Sequence, residues 1–128
     1  MYKTLDIFKL SHAMAAHANA RQRVVAENIA NADTPDFRAK DIKPFSAHLA
    51  GTDDGYSRAT RDKHFALHRT ATPTFTTMQD ARDLSPNGNS VSLETEMMKA
   101  SEARHQQEVA LAVYRSAMNI MRTSIGKG

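Results

Sequence analysis

The sequence contains no cysteine and no tryptophan, and aromatic side chains make up only 6% of its 128 residues. Disulfide bonds and thiolate metal sites are therefore excluded. A chain of this length fits one domain, and it has little bulky apolar material with which to build a core of its own. Its apolar content comes largely from alanine and from seven methionines, which suit adaptable contacts between helices.

Long hydrophobic runs and a strong net charge are also absent. The formal charge is +3, with basic residues scattered among acidic ones, so only weak attraction to polyanions is expected and no nucleic-acid partner. The first six residues, Met1 to Asp6, lead into a segment with polar positions every few residues. We therefore expect no cleaved signal peptide and no direct membrane insertion, and any export must use a route that does not read such a signal.

Motifs that would carry chemistry are missing as well. The sequence has no Gly-x-Ser-x-Gly, no His-Glu-x-x-His and no glycine-rich phosphate loop. His12 and His17 are five residues apart and do not share a helical face, while His64 and His68 lack a third ligand at a suitable spacing. We expect no catalytic site, no metal site and no cofactor, and the chain is not predicted to be an enzyme.

The chain divides into an N-terminal core helix within residues 1–35, a loop-rich middle insert over 36–90 and a C-terminal core helix within 91–128. The first helix is predicted over residues 5 to about 31, because apolar residues recur there at three- and four-residue spacing, with a gap around Arg21. Pro35 requires the helix to stop before it. The apolar positions that carry this periodicity are Ile7, Leu10, Met14, Ala18, Val25 and Ile29.

The middle insert is rich in threonine, aspartate, serine, glycine and proline. Within it, Asp41–Leu49 has the spacing of a short helix, and Tyr56–Ala59 and Phe65–Arg69 have the composition of short strands. Residues 86–89, Pro-Asn-Gly-Asn, predict a turn, since proline presets one dihedral angle and asparagine and glycine accept a positive φ. The insert is expected to be flexible or only partly ordered.

The C-terminal helix is predicted from Ser92 to Ile125. Ser92 is a candidate N-cap, Glu94 and Glu96 favour the positive end of the helix dipole, and Gly126 is a stop signal. Alternating four- and three-residue steps give a seam that is apolar at eight of its ten positions, which is typical of coiled-coil packing. This seam comprises Leu93, Met97, Ala100, Arg104, Gln107, Leu111, Tyr114, Met118, Met121 and Ile125.

A second apolar stripe lies beside this seam, formed by Met98, Val109, Val113, Ala117 and Ile120. A helix that is apolar on two sides needs more than one partner, and extended exposed patches usually mark interfaces. We therefore predict a mainly α fold, in which the terminal helices pack as an antiparallel, coiled-coil-like pair, and a non-enzymatic role in a larger assembly. A helical bundle that covers both stripes by itself is the alternative.

Two motifs resemble the axial rod and hook proteins of the bacterial flagellum. One is the run Asn-Ile-Ala-Asn-Ala-Asp-Thr-Pro at residues 28–35, and the other is Pro-Asn-Gly-Asn followed by Leu-Glu-Thr-Glu-Met at residues 86–97, which in a short chain is similar to proximal rod proteins. Asp36-Phe37 stands where the family usually has Gly-Tyr, and aspartate tolerates a positive φ better than most residues. The motif residues are Asn28, Asn31, Thr34, Pro35, Asn87, Gly88, Asn89, Leu93, Glu94, Glu96 and Met97.

The resemblance implies a structural subunit of the proximal rod, located in the basal body across the periplasm and exported through the flagellar type III apparatus. The implied partners are copies of itself, other rod subunits, a FliE-like adaptor and a FliF-like membrane ring protein. The alternative function is a soluble helical adaptor or export chaperone that binds partner helices. The expected assembly seam comprises Ile7, Leu10, Met14, Val25 and Ile29 of the first helix and Leu111, Tyr114, Met118, Met121 and Ile125 of the second.

Overall fold

A computed structural model describes residues 2–47, 75–79 and 84–126 of the chain. Two long helices, α1 (Tyr2–Ala30) and α2 (Leu93–Ile125), flank two short strands, β1 (Lys40–Ile42) and β2 (Thr77–Gln79). The helices pack against each other, and the strands form a small antiparallel sheet. The predicted fold class, a mainly helical protein built on its terminal helices with short strands between them, is confirmed.

The two helices run antiparallel. At one end the rings of Phe8 and Tyr114 meet edge to face, with centroids 5.3 Å apart. At the other end the Asn28 amide nitrogen donates to Glu96 Oε2 over 2.9 Å. Because the start of α1 contacts the second half of α2 and the end of α1 contacts its first turn, the helices are aligned along most of their length.

Small side chains fill the interface between the helices. From Ala103 to Ala117, every seventh residue of α2 is a buried alanine, and we call this set, Ala103, Ala110 and Ala117, the alanine line. The facing surface of α1 buries Ser11, Ala18 and Val25, also at seven-residue spacing. Heptad spacing on both helices matches the predicted coiled-coil-like pairing, and small side chains allow the two backbones to approach closely.

The segment after α1 differs from the predicted short helix. Asp41 and Ile42 belong to β1, where Asp41 pairs with Met78 and Ile42 with Thr77, and helical residues begin only at Phe45. Pro44 disfavours a helical conformation at the residue before it, so the chain stays extended through Lys43. The end of the predicted helix and the predicted strands Tyr56–Ala59 and Phe65–Arg69 lie outside the described residues.

The ends of α2 are where the sequence predicts them. Ser92 occupies the N-cap position with extended backbone, although its hydroxyl accepts a hydrogen bond from Thr95 Oγ1 instead of capping the helix. Glu94 and Glu96 lie in the first turn. Gly126 ends the helix with its N–H donating to Arg122 O over 2.8 Å. The first turn therefore relies on its acidic side chains to offset the positive end of the dipole.

Candidate functional site

The two sequence motifs, at residues 28–35 and 86–97, come together where the end of α1 meets the start of α2. Asn28, which is fully buried, is the centre of this junction. Its Oδ1 accepts the Lys40 N–H over 3.0 Å, and its Nδ2 donates to Lys40 O over 2.7 Å and to Glu96 Oε2 over 2.9 Å. The side-chain amide thus pairs with β1 as a neighbouring strand would and joins both helices to it.

A network of alternating charges extends from this asparagine. Lys99 Nζ lies 2.9 Å from Asp41 Oδ2 and 3.3 Å from Glu96 Oε1, and all three side chains are buried. Arg21 bridges the outer side, with Nε 3.4 Å from Asp41 Oδ1 and Nη2 3.3 Å from Glu102 Oε2. This charge network (Arg21, Asp41, Glu96, Lys99 and Glu102) connects α1, β1 and α2, so it favours one register of the three elements.

The environment of Asp41 favours its ionised form. Burial disfavours the charged carboxylate and acts to raise its pKa. The hydrogen bond from Lys99, the hydrogen bond from the Ile42 N–H and the positive charges of Lys99 and Arg21 together outweigh burial, so the pKa of Asp41 lies below its ordinary value. The network therefore depends on an ionised carboxylate at its centre.

Asn89, from the other motif, binds the turn that follows the C-terminal end of α1. Its Nδ2 lies within 2.8–2.9 Å of three carbonyl oxygens, those of Asn31, Ala32 and Thr34, and its Oδ1 accepts the Val91 N–H over 2.7 Å. These three oxygens belong to the turn that follows α1, and the two N–H bonds of the Asn89 amide are shared among them. The buried side chain from the second motif therefore holds the turn that carries the first motif.

The loops that carry the two motifs also pair through their backbones. Asp36 N–H donates to Asn87 O and Ser90 N–H donates to Phe37 O, each over 3.1 Å. Asp36 has a φ of 58° and Gly88 a φ of 79°, and a Cβ atom on Gly88 would overlap Asp36 Oδ1. Asp36 therefore adopts the left-handed conformation for which glycine is best suited, and Gly88 leaves space for its side chain.

His17 fixes the other side of β1. It is 2% exposed, and its Nε2 donates to Lys43 O over 2.8 Å, which requires the proton on Nε2. Its ring lies between Phe45 and Phe75, with centroids 5.5 Å and 5.0 Å away. His17 is thus a structural contact between α1 and the segments that follow β1 and precede β2.

The remaining motif residues do not join the junction. Pro35 and Glu94 are exposed, and Leu93 and Met97 expose 51% and 62% of their surfaces. The predicted seam residues also lie mainly outside the helix interface. Val25 is buried there, Met14, Met118 and Met121 are half-buried, and the exposed members are Ile7, Leu10, Ile29, Leu111, Tyr114 and Ile125.

Sequence reasoning missed the charge network. Arg21 is visible in the sequence only as a gap in the apolar periodicity of α1, and Asp41, Lys99 and Glu102 resemble solvated surface charges. The interruption at Arg21 is the one signal that points to it, since a polar residue on an otherwise apolar face needs a partner when it is buried.

The described part of the chain provides neither a metal centre nor a membrane-spanning helix. Within it, no group of three or more histidine, aspartate or glutamate side chains is placed to hold a metal ion. Neither α1 nor α2 has an apolar stretch sufficient to cross a lipid bilayer.

Comparison with known proteins identifies the family. The family model described as "Flagella basal body rod protein" matches residues 10–38, which include most of α1 and the first motif. The flagellar basal body rod protein FlgB of Agrobacterium fabrum is 31% identical over 125 residues, covering 94% of this chain and 93% of that relative. FlgB of Cereibacter sphaeroides is 31% identical over 119 residues, covering 88% and 92%, and FlgB of Aeromonas hydrophila is 50% identical over 54 residues, covering 40% of each. The chain belongs to the FlgB family of flagellar basal body rod proteins.

Proposed function

We propose that this rod component assembles through its two terminal helices, binding copies of itself and neighbouring rod subunits. The exposed apolar surface of α2 carries the proposal. One line of that helix, the alanine line, is buried against α1, while apolar side chains to either side of it remain exposed within the chain. Burial of such side chains stabilises a contact by about 25 cal/mol per Å² before ordering costs, so neighbouring helices are their natural partners.

The exposed side chains form two separate surfaces. One is the predicted seam, with Leu93, Met97, Leu111 and Ile125 exposed, and the other is the second stripe, with Val109, Val113 and Ile120 exposed. Helical periodicity places them on opposite sides of the alanine line. A subunit with two different contact surfaces makes heterologous contacts, which extend into an open helical assembly where they do not close into a ring.

The motif junction gives these surfaces a fixed frame. The buried bonds of Asn28 and Asn89 and the charge network hold the end of α1 against the start of α2. A contact that transmits torque along a rod requires helices that do not slide against each other. The motif residues therefore act as internal clamps, and the seam residues act as the contacts between subunits.

The proposed setting follows from the family. The subunit crosses the inner membrane by flagellar type III export without cleavage of a signal peptide and joins the rod in the periplasm. Its neighbours at the base are a FliE-like adaptor and a FliF-like membrane ring protein. The resemblance to flagellar axial proteins supports these assignments.

The assembly surface is tested by expressing seam variants in a strain that lacks the chromosomal copy of the gene. Leu111→Asp and Met118→Asp each place a charge on the seam, and we expect the chain to be lost from purified basal bodies and swimming to stop. Asn119→Asp, on the exposed polar side of the same helix, is the matched control and should be incorporated normally. Normal incorporation of both seam variants would remove the seam from the proposal, and a chain found only in the cytoplasm would favour the adaptor or chaperone function.

A further inference from the structure

The motif junction contains the one Asn-Gly step of the chain, Asn87–Gly88, and Asn87 is exposed. Asparagine followed by glycine is the pair of residues at which a peptide chain most readily forms a succinimide. The Gly88 nitrogen attacks Cγ of Asn87 and ammonia leaves, and glycine favours the attack because it has no side chain to obstruct it. Water then opens the ring, so residue 87 becomes either aspartate or isoaspartate.

The reaction releases one ammonia when the ring closes and consumes one water when it opens. A C–N bond forms between the Gly88 nitrogen and Asn87 Cγ, the bond from Cγ to Nδ2 breaks, and the proton lost by the Gly88 nitrogen leaves with the ammonia. Hydrolysis of the ring at Cγ restores the main chain and leaves an aspartate side chain. Hydrolysis at the main-chain carbonyl group leaves isoaspartate, in which the main chain runs through Cβ and is one methylene longer.

The backbone around this step forms a tight turn of a defined type. Gly88 N–H donates to Ser85 O and Ser85 N–H donates to Asn89 O, each over 2.8 Å. The peptide bonds of the described residues are all trans, and Asn87 does not have a positive φ, whereas Gly88 has a φ of 79°. These features define a type I turn with Pro86 and Asn87 at its centre, followed by a glycine in the left-handed conformation.

This turn holds the reacting atoms apart. In a type I turn, ψ of the second central residue is about 0°, which leaves Cβ of Asn87 well out of line with the Gly88 nitrogen. The five-membered ring needs Cβ and that nitrogen nearly eclipsed, so ψ of Asn87 must rotate by roughly one third of a full turn from its type I value. Such a rotation moves the Gly88 N–H away from Ser85 O and breaks the hydrogen bond that closes the turn.

The contacts between the two motifs oppose the same rotation. The peptide group that joins Asn87 to Gly88 rotates as a unit, and its oxygen accepts the Asp36 N–H over 3.1 Å. Asn87 Oδ1 accepts the Asn89 N–H over 3.1 Å, which fixes the side-chain amide as well. The Asp36 carboxylate also lies against Gly88, where a Cβ atom would overlap its Oδ1. The step can therefore react only after the junction has opened at this turn.

We propose that Asn87 is a site of spontaneous deamidation whose rate is set by the motif junction, and that isoaspartate at this position weakens the junction. The extra methylene lies in a segment whose hydrogen bonds to Ser85 and Asp36 require a fixed chain length. Aspartate disturbs the turn less, since its carboxylate still accepts the Asn89 N–H. Isoaspartate therefore accumulates on chains whose junction has stayed open, and it lowers the stability of the contact between their terminal helices.

The rate is measured on the purified full chain, kept at mildly alkaline pH in buffer or in guanidinium chloride. Peptide mass spectrometry follows the amide of each asparagine, and enzymatic methylation quantifies isoaspartate. We expect deamidation of Asn87 to be at least about tenfold slower in buffer, because only the open fraction of the folded chain reacts. Asn119, which is exposed in α2 and precedes a bulky isoleucine, is the internal control and should keep its amide in both conditions.

A variant that opens the junction tests the control of the rate. Asn89→Ala removes the side-chain hydrogen bonds to the turn after α1 but keeps the N–H that binds Asn87, and it should raise the rate in buffer several-fold. Circular dichroism checks that this variant stays folded. Equal rates for the native chain in buffer and in guanidinium chloride would overturn the proposed control. An Asn87 amide that lasts as long as that of Asn119 in the unfolded chain would remove the site itself.

The effect of the product is tested by comparing two forms that carry the same charge. The isoaspartate form is separated by chromatography from chain that was aged while unfolded and then refolded, and Asn87→Asp supplies the aspartate form. We expect the isoaspartate form to unfold at a lower denaturant concentration than Asn87→Asp, which should unfold close to the native chain. Equal midpoints would overturn the weakening of the junction. These measurements use purified protein, so their failure leaves the rod function to be judged by incorporation into basal bodies.

Discussion

Replacing Lys99 with methionine should destabilise the junction more than any exposed charge substitution. The Lys99 side chain is 8% exposed and lies between two buried carboxylates, Asp41 at 2.9 Å and Glu96 at 3.3 Å. Methionine fills a similar volume but removes the ammonium group from Glu96 and leaves Asp41 with Arg21 as its cation. Breaking a buried ion pair in this way costs about 3–5 kcal/mol, a large share of the roughly 5–15 kcal/mol by which domains are stable.

The measurement is urea unfolding followed by far-ultraviolet circular dichroism at neutral pH. The control is Lys40→Met, since Lys40 pairs with Glu27 at 2.6 Å while both side chains are more than 40% exposed. Exposed pairs contribute about 0–1 kcal/mol because solvent screens them, so this variant should unfold almost as the native chain does. Equal stability of the two variants would refute the assignment of Lys99 to a buried network that the fold needs.

Three further predictions concern the same junction. The pKa of Asp41 is lower in the folded chain than its unfolded value of 3.8, and this shift adds stability that is fully present above pH 3.8 and is lost as the pH falls through the folded value. Acid should therefore destabilise the native chain more than it destabilises Asp41→Asn, as measured by urea unfolding from pH 6 to about 2. Asn89→Ala removes the hydrogen bonds between the second motif and the turn after α1 and should lower the free energy of unfolding by about 2–3 kcal/mol, whereas Asn119→Ala on the exposed side of α2 should change it by less than about 0.5 kcal/mol. Gly88→Ala should lower the free energy of unfolding by about 1–2 kcal/mol because Gly88 has a φ of 79°, while Gly126→Ala, at a φ of −82°, should lower it clearly less. Equal effects of the two substitutions in thermal melts would contradict the turn geometry.

The sequence predicts the terminal helices because their signals are local. The spacing of apolar residues, the stop before Pro35 and the N-cap position at Ser92 each depend on a few neighbouring residues, and the bounds of α1 and α2 follow them closely. The turn residues Asn87 and Gly88 are also local signals. Their conformations follow from the backbone preferences of asparagine and glycine and need no knowledge of the rest of the chain.

The internal packing of the helices could not be read in the same way. Leu111 and Met118 dominate the apolar pattern of α2, yet α1 packs on Ala103 and Ala110, whose small side chains give a weaker pattern. Alanine is selected there because the two helices lie close, and closeness is a property of the pair. The sequence therefore indicates where α2 is apolar without indicating which apolar line is used within the chain.

The strand β1 and the charge network were missed for a related reason. Asp41 and Ile42 form a strand because β2 and the Asn28 amide supply hydrogen-bond partners from distant parts of the chain. Lys99 looks like a solvated surface residue until Asp41 is placed beside it. Buried charges are identified by their partners, and those partners are brought together only by the complete fold.

The most direct test of the central claim is an in-frame deletion of the coding sequence in the source bacterium, scored by swimming and by electron microscopy of purified basal bodies. If the chain is a rod subunit that the rod requires, the deletion strain should not swim, and its basal bodies should retain the membrane ring but lack the rod. Supplying the native chain from a plasmid should restore both. Normal rods and normal swimming in the deletion strain would contradict the account.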